Sequence, residues 1–408
     1  MKRLAIGIIA VALVVGVAVA AGVFVFRGVV GSEFALRDSD ANGALVAPRE
    51  GDPSYTLIVA ELGSVAAPLD NGTPDVMLLA RLDTKSNSLA LINVPVGLQI
   101  TSDNRSESIG SLANKGDAQL ITTLAQYAKV DIAHLVKVDE AGLVDMVDKL
   151  GGVSVDIEQQ IDDPQAGSVY LPKGERALKG DEMLTYLRAT NVKYGVEDRL
   201  VHQLTFATGL LEKLFSAQGS FTTRLDSIGE DFQTDYALGQ LETANKSIGG
   251  ISSGDITVSI LPGYFTAVTN VTGSDSERYV GSANDVATLI DDLNNGREPS
   301  VGSITEKSLA DPASFTVDVQ NGTTVVGAAA SAAELLRQNG FNVGDVGNAE
   351  QPVYDETLVV YKNSENGIAC ANAVINTIGA GRAVQSNSYY NFSHDVLLIL
   401  GADNKPVS

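Results

Sequence analysis

Tryptophan is absent from this 408-residue chain, and it holds only one cysteine and three histidines. Cys370 cannot close an internal disulfide and lacks the paired spacing of a zinc or redox site, so it reads as a small buried hydrophobe. Around His134, His202 and His394 no Gly-x-Ser-x-Gly or His-Glu-x-x-His pattern appears, which argues against the serine-hydrolase and zinc-protease classes. Gly379-Ala-Gly381 has no third glycine and no clear strand before it, so it reads as a turn rather than a dinucleotide fingerprint. Basic residues are scarce too: 28 Lys and Arg stand against 50 Asp and Glu, a formal net charge of −22. With no basic face to neutralise phosphates, nucleic acid is not an expected partner. An anionic ligand would need local arginines or a metal ion.

Charge is also missing, over one long stretch, at the N-terminus. Lys2 and Arg3 precede an uncharged apolar run from Leu4 to Phe26, long enough as a helix to cross ~30 Å of hydrocarbon. Residues 1–27 are therefore expected to be a transmembrane anchor, its N-terminus cytoplasmic and everything after Arg27 extracytoplasmic. The rival reading is a signal peptide cleaved near Ala18-Val19-Ala20, but the run exceeds the usual ~7–15-residue apolar region. Residues 28–53, rich in Gly, Ser, Asp and Pro, read as a stalk. Within them Asp38 to Gly43 resembles the front of a calcium loop, but Arg49 stands where the bidentate Glu would be needed.

Beyond the stalk, apolar runs alternate with amphipathic stretches. Tyr55 to Leu62, Val76 to Leu82 and Ser88 to Val96 predict strands, and Asp117 to Lys129 a helix. Asp139 is placed to cap a helix reaching Leu150, followed by a strand from Val153 to Ile157. Asp181 is read as a second N-cap, and a longer helix follows from Glu197 to Phe215 with Leu200, Leu204, Leu211 and Leu214 on one stripe. This is a layered α/β domain over residues 54–296. Residues 297–314 read as a linker, and 315–404 as a smaller α/β or α+β domain, with strands from Phe315, Phe341, Thr357 and Val396 and an Ala-rich helix ending near Gly340.

A sparse set of polar groups stands beside the ends of these elements. Asp75 opens a strand, Arg188 closes the Asp181 helix, and Arg199, His202 and Gln203 lie on the helix after it. Two guanidiniums with a carboxylate able to hold a divalent ion would form a pyrophosphate cradle, because Arg matches phosphate oxygens bidentately and a metal offsets their charge. The same arginines could instead pair with Glu182, Glu197 or Asp198 on a solvated surface. Spacing alone leaves both readings open.

Several ordered motifs carry a resemblance. Asp75-Val-Met-Leu-Leu79, Leu91-Ile-Asn-Val-Pro95, Leu150-Gly-Gly-Val-Ser-Val-Asp156, Ile161-Asp-Asp-Pro-Gln165, Leu178-Lys-Gly-Asp-Glu182, Tyr186-Leu-Arg188 and Leu261-Pro-Gly263 resemble, in order, the catalytic domain of the LytR-CpsA-Psr family. In the terminal domain, Val319-Gln-Asn-Gly322, Gly340-Phe-Asn-Val343 and Leu400-Gly-Ala-Asp403 are similar to the LytR-type C-terminal module. The resemblance implies a phosphotransferase that moves a glycopolymer from polyprenyl pyrophosphate to a cell-wall acceptor with Mg2+. It implies catalytic Arg188 and Arg199, His202 and Gln203 as further substrate contacts, and Asp75 as metal ligand. The family's Arg and Asp after Pro95 are replaced by Val96 and Gly97, a second Arg by Thr190, an acidic residue by Val196 and a third Arg by His202. Three readings follow: a divergent transferase, a pseudoenzyme that binds lipid-linked precursor or wall polymer without transfer, and an envelope scaffold. No partner of the terminal domain is named by these residues. Arg81 and Arg105 are the cations that could converge on the site in place of the missing ones.

Overall fold

The computed structural model describes residues 36, 39–49, 52–63, 74–102, 105–269, 275–302, 309–350, 353–362, 367–386 and 390–404. The expected membrane span falls outside these residues. Among the described residues no helix is long and apolar enough to cross a membrane.

The first domain opens with a short helix α1 (Ser39–Ala44), then β1 (Ser54–Glu61), β2 (Val76–Asp83), β3 (Ser88–Asn93), a β4–β5 hairpin (Gln99–Ser102, Arg105–Ser108) and α2 (Asp117–Ala128). It continues through β6 (Ile132–Asp139), α3 (Glu140–Lys149), a β7–β8 pair (Val153–Ile157, Gly174–Leu178), α4 (Gly180–Arg188), α5 (Val196–Leu214), α6 (Phe221–Ile228), β9 (Gln233–Thr234) and α7 (Leu238–Ile248). It closes with β10 (Thr257–Ile260), a β11–β12 hairpin (Gly263–Thr269, Asp275–Gly281) and α8 (Ala283–Asn294). Six strands make one mixed sheet in the order β10-β3-β2-β1-β6-β9.

Both faces of that sheet are covered, which is why its central strands are apolar at nearly every position. Leu57, Val59, Met77 and Leu79 pack on one face against Leu120 and Leu124 of α2 and Leu289 of α8. Ala60, Leu78, Ala80 and Leu91 pack on the other among residues of α3 to α7. Period-2 alternation along each strand assigns successive residues to the two cores. The Asp139 side chain accepts from the Gly142 N–H at 2.8 Å and caps α3 as expected.

The second domain comprises β13 (Thr316–Asn321), α9 (Ala328–Gln338), β14 (Asn342–Asn348), β15 (Leu358–Tyr361), α10 (Gly367–Ile378), β16 (Arg382–Gln385) and β17 (Val396–Leu400). Its sheet runs β14-β13-β17-β15-β16, parallel except where β15 meets β17. Val317, Val319, Leu398 and Leu400 share a core with α9 and α10, and that core is continuous with the α2 side of the first domain. At the junction Ala383 donates its N–H to the Lys193 carbonyl at 2.8 Å.

Two local expectations are corrected. Asp181 does not cap α4: the N–H groups of Glu182 and Met183 already bond to the Lys179 carbonyl, so the helix starts earlier and Asp181 sits in its first turn. The stalk is not free over residues 39–49, the longest part of it that is described. Ala41 is fully buried, Leu45 packs on the same core, and the Val46 N–H bonds to the Ile132 carbonyl at 2.9 Å, because these few apolar groups find the side of α2. A helix at Ser39–Ala44 also removes the calcium-loop reading.

Candidate functional site

Three chain segments end at one edge of the central sheet. Asp75 immediately precedes β2, and its N–H bonds back to the Ala60 carbonyl at 2.9 Å while its Oδ2 accepts from the Leu62 N–H at 2.7 Å. Asn93 ends β3, and Leu187 and Arg188 end α4. Gln203 of α5 joins them. Its Nε2 donates to the carbonyls of Asp75 and Leu187, both at 3.3 Å, and its Oε1 accepts from Asn93 Nδ2 at 2.9 Å. Gln203 and Asn93 are 2% and 1% exposed, so each amide is held by bonds that burial makes costly to break.

Arg199, one helical turn before Gln203, shares a recess with Asp75, Asn93, Val96, Gly97 and Phe265. The recess measures about 10 Å³, room for a single water. Asp75 lies within electrostatic reach of Arg188 and Arg199. Burial raises its carboxyl above the ordinary aspartate value, while the Leu62 N–H and the two guanidiniums pull the other way without cancelling it. A half-buried carboxylate of this kind beside two cations can serve as the one protein ligand of a Mg2+ ion whose other oxygens come from phosphates and water. Arg188 donates to the Leu62 carbonyl and pairs with Glu140 at 2.6 Å.

The structure thus brings Asp75, Arg188, Arg199 and Gln203 together. It does not bring His202 to the recess: its ring stacks on Tyr186, centroids 4.3 Å apart at 22°. Burial pushes the Tyr186 hydroxyl far above its ordinary pKa. The neighbouring acids are also occupied elsewhere. Glu197 accepts from Asn372 Nδ2 of the second domain at 2.9 Å, and Asp198 accepts from the Tyr194 N–H. Arg81 is 3% exposed and bonds Asn294 at 3.1 Å near the far end of β2, so it does not replace a missing cation; the side chain of Arg105 is not among those described. Sequence reasoning passed over Asn93, although it stands in a quoted motif at the end of a strand beside Asp75.

A second, larger space adjoins the first at Gln203. It measures about 220 Å³ between the sheet and helices α5 to α7, and is walled by apolar side chains that include Leu78, Ala80, Phe206, Leu210, Phe221 and Ala244. Its lining also includes the more polar Thr56, Thr234 and Tyr236. There Thr56 bonds the Tyr236 hydroxyl at 2.7 Å, and Tyr236 stacks on His134.

Residues 67–294 match the model of the LytR_cpsA_psr family, and residues 314–403 that of the LytR cell envelope-related transcriptional attenuator. The cell wall biosynthesis protein LcpA of Corynebacterium glutamicum is 24% identical over 298 residues, 70% of this chain and 56% of that one. The polyisoprenyl-teichoic acid–peptidoglycan teichoic acid transferase TagV of Bacillus subtilis is 23% identical over 43% of this chain and 47% of its own. The chain therefore spans about half the length of these curated relatives. The crystal structure of B. subtilis TagV superposes with a TM-score of 0.52 at 19% identity, covering 62% of this chain and all of that one. TagT bound to LI-WTA gives 0.50 at 16% identity, over 64% of this chain and 98% of that one. At such identities these structures establish a shared fold.

Proposed function

The chain belongs to the LytR-CpsA-Psr family, and from that premise we propose that it is a membrane-anchored, extracytoplasmic protein that takes a glycopolymer from polyprenyl pyrophosphate towards a cell-wall acceptor. One observation carries the reading: the apolar space of about 220 Å³ and the recess of Asp75 and Arg199 have Gln203 as a common lining residue. A prenyl chain and a diphosphate differ completely in polarity, and here an apolar channel and a charged edge share one residue. The Leu4 to Phe26 run would hold this site at the lipid surface where such a substrate resides.

Arg199 and Arg188 would clamp the diphosphate, Arg188 by exchanging Glu140 for a phosphate oxygen. An acceptor hydroxyl attacks the phosphorus next to the glycan and gives up its proton to solvent, the phosphoanhydride bond breaks, and polyprenyl monophosphate leaves with the bridging oxygen. The guanidiniums stabilise charge on that leaving group, and Asp75 would hold Mg2+, which adds positive charge at the same place. Gln203 orients Asp75 and the α4 terminus. Val96 and Gly97 offer no side-chain charge to the recess, and this favours a second reading, a binder of the lipid-linked precursor that does not transfer it.

The deciding assay supplies the full chain in lipid nanodiscs with a polyprenyl-pyrophosphate-linked glycan and an acceptor, with and without magnesium. Magnesium-dependent release of polyprenyl monophosphate, reduced ~10²–10³-fold in Arg199→Ala, is the expected result. Binding without release would establish the second reading, and absence of binding would refute both.

A further inference from the structure

The α4–α5 connection carries Arg188 at one end and leads to Arg199 just beyond the other, so whatever sets its path sets the spacing of the two arginines. Asp163 holds its beginning: Oδ2 accepts from the N–H groups of Thr190 and Asn191 at 2.8 and 3.0 Å. Further along, Asp198 of the same domain accepts from the Tyr194 N–H, and several holding groups come from the second domain. The Arg382 guanidinium, paired with Glu356, bonds Oδ1 of Asn191, and the Ala383 N–H bonds the Lys193 carbonyl. Ile368 lies against Gly195, where a Cβ would stand 3.4 Å from its Cδ1. Asn372, fully buried in the middle of α10, donates to the Glu197 carboxylate in the first turn of α5.

Glu197 is 7% exposed and lies two residues before Arg199. A carboxylate near a helix N-terminus is favoured by the helix dipole, but one shut away from water has to be hydrogen-bonded. Asn372 supplies such a bond from a separate domain. The opposite wall of the recess is braced the same way: α10 packs against β11, whose Phe265 lines the recess and meets Tyr279 edge-on at 4.9 Å.

We propose that the second domain completes the diphosphate site, with Asn372 as a positioning residue that acts through Glu197 to hold the first turn of α5, and so Arg199, against Asp75. This rests on reading the recess edge as the diphosphate site. A misplacement of ~1 Å at such a clamp lowers turnover about 100-fold, so a contact this close to Arg199 has leverage without touching substrate.

The test uses the full chain in nanodiscs, titrated with farnesyl pyrophosphate and, separately, with farnesol. Both probes fill the apolar channel and only one needs the arginines. Asn372→Ala is expected to weaken farnesyl pyrophosphate binding about tenfold and leave farnesol binding unchanged, since loss of a hydrogen bond to a buried charge is felt at the charged site. Equal loss of both ligands, or loss of neither, overturns the proposal. Should Asn372→Ala fail to fold, Arg382→Ala, which frees the same connection from its other end, must show the same head-group-selective loss or the proposal falls. Wild-type protein that binds the pyrophosphate no better than the alcohol would instead sink the function proposed above.

Discussion

Asp75 stands under opposed demands: burial favours its neutral form, and the proposed metal requires the anion. Its pKa in the folded chain is raised above the ordinary 3.8, so the folded state takes up a proton more readily than the unfolded one. The stability associated with that proton is fully present below the ordinary value and is lost as pH rises through the folded one. At pH 7 the ionised carboxylate therefore destabilises the protein. Asp75→Asn should raise the melting temperature at pH 7, with the gain disappearing at pH 3, and should abolish any magnesium dependence of turnover; calorimetry at the two pH values checks the first half. Cys370 shows the reverse case of a group with no task. It is 8% exposed, and burial pushes its thiol up to about 11, so maleimide labelling of the native chain at pH 7.5 should be negligible and should appear on unfolding. This cysteine was legible from composition alone, as were Asp75 and the two arginines from their motifs. Asn93 and Asn372 were not, because an uncharged amide has no mark in a sequence and acquires its meaning only from the partner that the fold supplies.

Strands β1, β2, β7 and β17 were readable to within a residue or two, since each is a short β-branched or aliphatic run bounded by turn residues. Helix α10 was not. Ten of its residues are buried, and the apolar character of the whole stretch masks its helical period. The apolar channel was equally invisible, because Leu210, Phe221 and Ala244 look like ordinary core residues until the helices are seen standing off the sheet. That stand-off yields a discriminating substitution. Ala244, 5% exposed on α7, faces the space, and a phenylalanine there has room to enter it. Ala244→Phe should raise thermal stability, as cavity filling does by ~0.5–2 kcal/mol, while lowering affinity for farnesyl pyrophosphate and farnesol alike.

The two domains share one apolar core across Val196, Leu200, Ile368 and Ala371, so they should unfold together. Differential scanning calorimetry is expected to show a single transition for the chain. Asp318 provides the check. It is 3% exposed on β13, and it accepts from the Asp345 N–H, from the Ser393 and His394 N–H groups, and from His394 Nδ1 at 2.6 Å. Burial alone would raise its pKa, but these donors outweigh it and hold the carboxyl below the ordinary range. Its stabilising contribution is present at neutral pH and is lost as pH falls through that depressed value. Asp318→Ala should cost about 3 kcal/mol and shift the whole transition, not split off a second one. The order of two α/β domains was visible from composition shifts along the chain. Their mutual seating was not, because it depends on a handful of groups more than 170 positions from the segments they touch.

The bond between Asn372 and Glu197 also has a place in time. A polypeptide is made from its N-terminus, and domains fold as units as they emerge at roughly 5–20 residues per second. The strands and helices that carry Asp75, Arg188 and Arg199 are thus complete well before the ribosome reaches α10. Until then the newborn protein has these arginines without the second-domain amide that bonds Glu197. A copy cut short ahead of Gly367 would lack the bond to Glu197 that the proposal above assigns to Asn372.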